Sequence, residues 1–341
     1  MHMADALLSP AVGATMWLAS GAALTVSARR LREQADDRLV PLMGVLGAFV
    51  FAAQMINFAI PATGSSGHLG GGLLLSILLG PYAALIVIAS VLTVQALFFA
   101  DGGLLALGAN IFNLGVLPCF VAYPLIYRPI AGDGASTSRV AVGAVAASLV
   151  GLQLGALGVV LQTVASGISS LPLATFLLLM LPIHLAIGLV EGLATAAVAL
   201  FIRRARPDLL VPGGGTTSSR ATLKPLLAAL GVAAVVTGGA LSWFASSQPD
   251  GLEWSIERTA GTELAAPEGG VHGMLARLQE AVSFLPDYGL PKAAHAAEVE
   301  TAEQLDWPAV DGGTSLAGVV GGAATLVLVW ALALLLRRRR R

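Results

Sequence analysis

Long apolar runs, interrupted by short polar or glycine-rich stretches, set the rhythm of this chain. Seven of them, at residues 10–28, 40–60, 104–127, 139–167, 172–202, 224–244 and 315–336, match the ~20 mostly apolar residues that a membrane-crossing helix needs. An eighth run, 69–99, is too long for one crossing and too short for two ordinary ones. Gly80-Pro81 falls near its middle and predicts a break, with 69–79 as a short half-helix buried in protein. The pattern predicts an all-α polytopic membrane protein. A seven-helix bundle occupies residues 1–206, a polar linker 207–223, and a two-helix C-terminal membrane domain 224–341. Residues 245–314 join the last two helices.

Charge orients these elements and supports the double crossing. Arg29, Arg30, Arg32 and Arg38 follow the first run, which places that connection in the cytoplasm. If 69–99 crosses twice, Arg128, Arg139, Arg203, Arg204, Arg206, Lys224 and the run Arg337 to Arg341 share that side, and 16 of the 19 Lys and Arg residues are cytoplasmic. A single crossing would put the Arg203 cluster outside. The N-terminus, the loop 61–68 and the segment 245–314 are therefore expected outside, and the C-terminus inside. That external segment carries twelve acidic and three basic residues. It reads as a solvated surface or, with His272 and His295, as an attractor of cations.

Composition narrows the class. The chain is 56% hydrophobic and 11% charged, whereas a soluble domain carries about 25% charged residues. Cys119 is the only cysteine, which excludes disulfides and cysteine-based metal clusters. The terminal arginines suit anionic lipid rather than nucleic acid. No G-x-x-x-x-G-K-[ST] motif is present, so an ATP motor would have to be a separate protein. The opening MHMADALLSP lacks the basic residues of a cleavable signal, and Met1 is expected to be kept.

Met1 and His2 together offer an amine, a backbone nitrogen and an imidazole. Amine and amide close a five-membered ring around an ion, and amide and His2 Nδ1 close a six-membered one. A second imidazole, from His68, would fill the remaining in-plane position. Four planar nitrogens suit Ni(II) or Cu(II). The plain alternatives are a solvated terminus and an ordinary loop histidine beside Gly67 and Gly70. The orientation argument puts His2 and His68 on the same side without using the metal idea.

From residue 48 onward the segments AFVFAAQMINF, GSSGHLGGG, LLGP, VQALFF, DGG, LALGANIFNLGV and PIHLAIGLVEG resemble the substrate-binding component of nickel and cobalt energy-coupling-factor ABC transporters, the CbiM/NikM family. MHMADALLSP is similar to that family's opening. From about 224, the motif Pro249-Asp250-Gly251-Leu252-Glu253 marks a resemblance to the small second membrane component, a NikN-like PDGLE domain, fused on the same chain. The resemblance implies that the N-terminal segment tucks into the bundle and that Met1, His2 and His68 bind Ni(II) or Co(II) as the transported substrate. It also implies a multi-pass protein of the bacterial cell membrane, partnered by a transmembrane coupling protein and ABC ATPases, and no organic cofactor.

Other polar residues have weaker readings. Asp5, Ser65, Ser66 and Asn57 are candidates to support the ligands from behind, and Asn110 and Asn113 are polar groups within an apolar span. Gln54, Gln95, Gln153 and Gln162 are expected to bond between helices. Ala19 and Ala23 form a small-residue pair suited to docking the coupling protein. His184 and Glu191 lie two helical turns apart on one face, either as a functional pair at membrane depth or as a lock between helices. Two competing functions remain: a purely structural subunit, and an intramembrane serine hydrolase built on Ser66 with His184 as base.

Overall fold

The computed structural model describes residues 2–33, 39–132, 135–169, 171–205, 223–261, 267, 269–290 and 307–338. Among the described residues, six helices are long and apolar enough to cross a membrane. They are α1 (Pro10–Glu33), α4 (Pro81–Phe98), α5 (Leu107–Ile130), α6 (Thr137–Ser166), α7 (Leu173–Ala205) and α11 (Gly312–Arg338). Two shorter apolar helices, α2 (Leu39–Gln54) and α8 (Lys224–Gly239), pack among them, α2 lying against both α8 and α11. Leu18, Leu178, Leu193, Phe201 and Val232 face outward, as lipid-facing positions of a spanning bundle would.

The break at Gly80-Pro81 is where the sequence puts it. Helix α3 (Gly72–Leu79) is a half-helix with all eight residues buried. Gly71 and Gly80 bracket it, both at φ 78, a left-handed conformation that glycine adopts without steric cost. Pro81 then starts α4 at a position where a missing N–H costs nothing. In α5, Pro118 and Pro124 accompany wide i→i+5 turns over Phe112–Val116 and Pro118–Tyr127.

Two expectations need correcting. The second apolar run is not helical to residue 60: α2 stops at Gln54, and Phe58–Ile60 becomes strand β1, antiparallel to β2 (Ser65–Gly67). The β-branched and aromatic tail of that run fits a short strand better than another helical turn. The segment 245–314 is also more than a solvated connector. It contains amphipathic helices α9 (Gly251–Ala260), packed on α7 and strand β2, and α10 (Gly270–Val282), packed on α4. His295 and linker residues 207–222 lie outside the described residues.

The N-terminal segment is part of the core. Met3, Leu7 and Leu8 are buried in the same apolar core as Phe51 and Phe99, so the chain enters the bundle before α1 begins.

Candidate metal-capture site

The site forms where the N-terminal segment, the β1–β2 hairpin, the α4–α5 loop and the C-terminal segment meet. Asn110 on α5 fixes the first of these. Its Oδ1 accepts from Met3 N at 2.8 Å and its Nδ2 donates to Met3 O at 3.1 Å, while Gly103 N donates to the same carbonyl at 3.0 Å. Asn113 pairs in both directions with Gln162 and points Nδ2 at the Met3 sulfur. Asp5 Oδ1 accepts from Ala106 N at 2.9 Å, and a Cβ on Gly103 would collide with that carboxylate. Residue 3 is thus held like a strand in a ladder, which sets where residue 2 falls.

His2 and His68 come together. Their ring centroids are 4.8 Å apart with planes inclined at 33°, and both side chains are nearly covered. His68 Nδ1 donates to Leu69 O at 3.1 Å, which leaves the imidazole's lone pair on Nε2. Burial pushes the His68 ring down to about 3, with the neighbouring His2 acting in the same direction. His68 is therefore neutral, the form that binds a metal.

His2 Nδ1 donates to Asp101 Oδ1 at 2.7 Å, and His2 Nε2 is buried with no hydrogen-bond partner among the described residues. Tyr288, from the C-terminal segment, donates its hydroxyl to Asp101 Oδ2. Burial works against the Asp101 charge, yet the His2 ring and the bonds from His2 and Tyr288 hold the carboxyl below its ordinary range. Burial, reinforced by Asp101, pushes the Tyr288 phenol well up, so it remains a donor. Among the described residues no group of three or more His, Cys, Asp or Glu side chains is arranged to hold a metal. A pair of imidazoles is what the described residues supply, and Met1 lies outside them.

The supporting residues take particular roles. Ser65 Oγ pairs with Thr63 Oγ1 at 3.0 Å inside the hairpin, and Ser66 Oγ donates to Gln248 O at 2.7 Å. Ser66 N donates to Pro249 O, and Asn57 O accepts from Ser246 N. These residues dock the C-terminal segment onto the hairpin. Glu191 on α7 accepts from Gly70 N and Gly71 N, each at 3.0 Å, and Gln54 Nε2 donates to Gly70 O at 2.8 Å. Gln95 in turn donates to Gln54, and Gln153 donates to Leu181 O. His184 Nδ1 donates to Met180 O at 2.8 Å. His184 and Glu191 thus bond to separate backbone partners instead of to each other.

Asp101, Tyr288 and the function of Asp250 were not singled out by sequence reasoning. Asp250 caps α9: its Oδ1 accepts from Leu252 N and Glu253 N, while Glu253 accepts from Asp250 N. The D-x-x-E spacing is a capping-box signal, so this much was visible. Nothing local marks Tyr288 as the partner of Asp101.

Comparison with known proteins agrees with this architecture. A family described as the cobalt uptake substrate-specific transmembrane region, CbiM, matches residues 2–209, and the PDGLE domain matches 224–338. A putative fused nickel transport protein NikMN of Archaeoglobus fulgidus is 34% identical over 97% of this chain and 98% of its own length. The fused nickel transport protein NikMN of Rhodobacter capsulatus is 32% identical, covering 84% of this chain and 88% of its own. A crystal structure of a truncated transition metal transporter, 32% identical, superposes with a TM-score of 0.53 over 60% of this chain and 99% of its own.

Proposed function

Because this chain belongs to the CbiM family of cobalt uptake transmembrane regions, with a PDGLE domain on the same chain, we propose that it is the substrate-capture subunit of an ATP-driven energy-coupling-factor importer for Ni(II) or Co(II). The Met1 amine, the backbone nitrogen of residue 2, the His2 imidazole and His68 Nε2 form the donor set. The observation that carries this reading is the close, buried pairing of His2 with a neutral His68. The charge distribution supports an outward-facing site with the C-terminus in the cytoplasm. Division at the linker 207–223 leaves residues 1–206 as the capture domain and 224–341 as a covering domain. A coupling protein and ABC ATPases supply the energy. The hydrolase reading has no nucleophile–base pair to stand on, since Ser66 Oγ is bonded to Gln248 O and His184 Nδ1 to Met180 O.

Protein tagged only at its C-terminus and supplied with Ni(II) or Co(II) is expected to purify with about one equivalent of metal, the Ni(II) form having the absorption of a low-spin, planar ion. No bound metal in protein with a verified free Met1 would defeat the proposal and favour a structural subunit.

Affinity is expected to rise with pH. The α-amino group, ordinarily at ~7.7–8.0, and the residue-2 backbone amide must each lose a proton before they can bind. His68, already pushed down to about 3, adds no slope in that range. Ni(II) titrations between about pH 6 and about pH 9 check this, and a flat profile would remove the amine from the donor set.

A further inference from the structure

The His2 nitrogen that the chelate requires is already engaged. Only Nδ1 can close a six-membered ring with the residue-2 backbone nitrogen, and Nδ1 donates to Asp101 Oδ1 at 2.7 Å. A cation taking that nitrogen must break this hydrogen bond, and the ring proton must pass from Nδ1 to Nε2 so that the imidazole binds in its neutral form. Asp101 is held from its other side by the Tyr288 hydroxyl. Tyr288 stacks on Phe99 with centroids 4.9 Å apart and planes at 16°. Next to it, Leu285 N donates to Phe98 O at 3.2 Å and Asp287 N to Phe99 O at 2.9 Å. Asp287 and Tyr288 both have positive φ, 51° and 58°, a strained conformation for non-glycine residues that persists only where the surroundings enforce it. Backbone bonds of Leu285 and Asp287 therefore sit beside a side-chain bond from Tyr288 to Asp101, and Asp101 is the group the cation displaces.

We propose that Asp101 is the residue the incoming cation displaces from His2, and that Tyr288 is the positioning residue through which the external PDGLE segment holds Asp101 and responds to loading. This rests on the capture-site reading above. Metal occupancy then reaches the 285–288 stretch through Asp101, without a ligand from the C-terminal domain. Once His2 no longer restrains Asp101, the Tyr288 anchor loosens and the bonds of Leu285 and Asp287 open more often.

The test is hydrogen exchange of peptides spanning residues 279–290 in the purified full chain, with and without saturating Ni(II). Exchange at Leu285 and Asp287 is expected to quicken severalfold with Ni(II), and not at all in His2→Ala. In Tyr288→Phe, which keeps the ring stack and loses only the hydroxyl, exchange is already fast without metal and Ni(II) adds nothing. Gln279→Leu supplies a control. Gln279 Nε2 donates to Ala96 O and Gly102 O, so its loss loosens the segment without reaching Asp101, and the Ni(II) response should survive. One equivalent of bound Ni(II) with unchanged exchange would overturn the proposal alone, as would an intact Ni(II) response in Tyr288→Phe. Failure of the wild-type protein to bind Ni(II) would remove the capture site and the proposal together.

Discussion

His2→Ala is expected to purify without Ni(II), and a histidine-free extension of several residues ahead of Met1, too long to bring a new terminal amine next to the chelate, should be as damaging although it leaves every side chain in place. Two fixed points make the extension informative. Asn110 grips both backbone polar groups of Met3, and Gly103 adds a third bond to the same residue. Residue 3 cannot slide, so an extension cannot be absorbed by shifting register. It converts the terminal amine into an amide, which binds only after losing its own proton, and the five-membered chelate ring loses its primary amine anchor. His68→Ala should leave three nitrogens and a much weaker, more exchangeable ion. Metal analysis after desalting reads all three variants. Full Ni(II) retention by the extended chain would show that His2 and His68 act without the terminus, and the planar chelate would have to be abandoned.

How much of this was readable beforehand depends on whether the signal was local. The half-helix was readable because Gly80 and Pro81 act where they stand: one adopts φ 78, the other has no N–H to lose. The pairing of His2 with His68 was readable at the level of sides, because arginine placement constrains which loops share a face. The hairpin was hidden, since Phe58–Ile60 continues an apolar run and three residues cannot show a period. The Asp101–Tyr288 bond spans 187 positions, and nothing near either residue names the other. Gln54, Gln95, Gln153 and Gln162 were expected between helices and are found there. Their acceptors include backbone carbonyls whose positions follow only from packing. Glu191 is the instructive case: its cost at membrane depth was evident from sequence, but its partners are two glycine N–H groups that no side-chain pattern reveals.

Those partners make Glu191→Ala the second large effect. The carboxyl accepts from Gly70 N and Gly71 N immediately before α3, where a helix start leaves its N–H groups unpaired. Gly70 O is taken by Gln54, so the peptide just after the His68 loop is gripped on both sides. Removing the carboxyl strands two buried donors, each at a cost of about 1–3 kcal/mol. Glu191→Gln strands one, because its amide has a single acceptor oxygen. The ranking wild type above Gln above Ala should therefore hold in the thermal stability of the solubilised protein, with Ala lower by at least about 3 °C. Ni(II) affinity should follow the same order and fall by about tenfold or more, since His68 is presented from the loop that Glu191 pins. Loss of stability with unchanged affinity would mean that His68 is held independently, through the β1–β2 hairpin. Unchanged stability and affinity together would mean that water replaces the carboxyl at the head of α3, and Glu191 would then have to act in a step after capture.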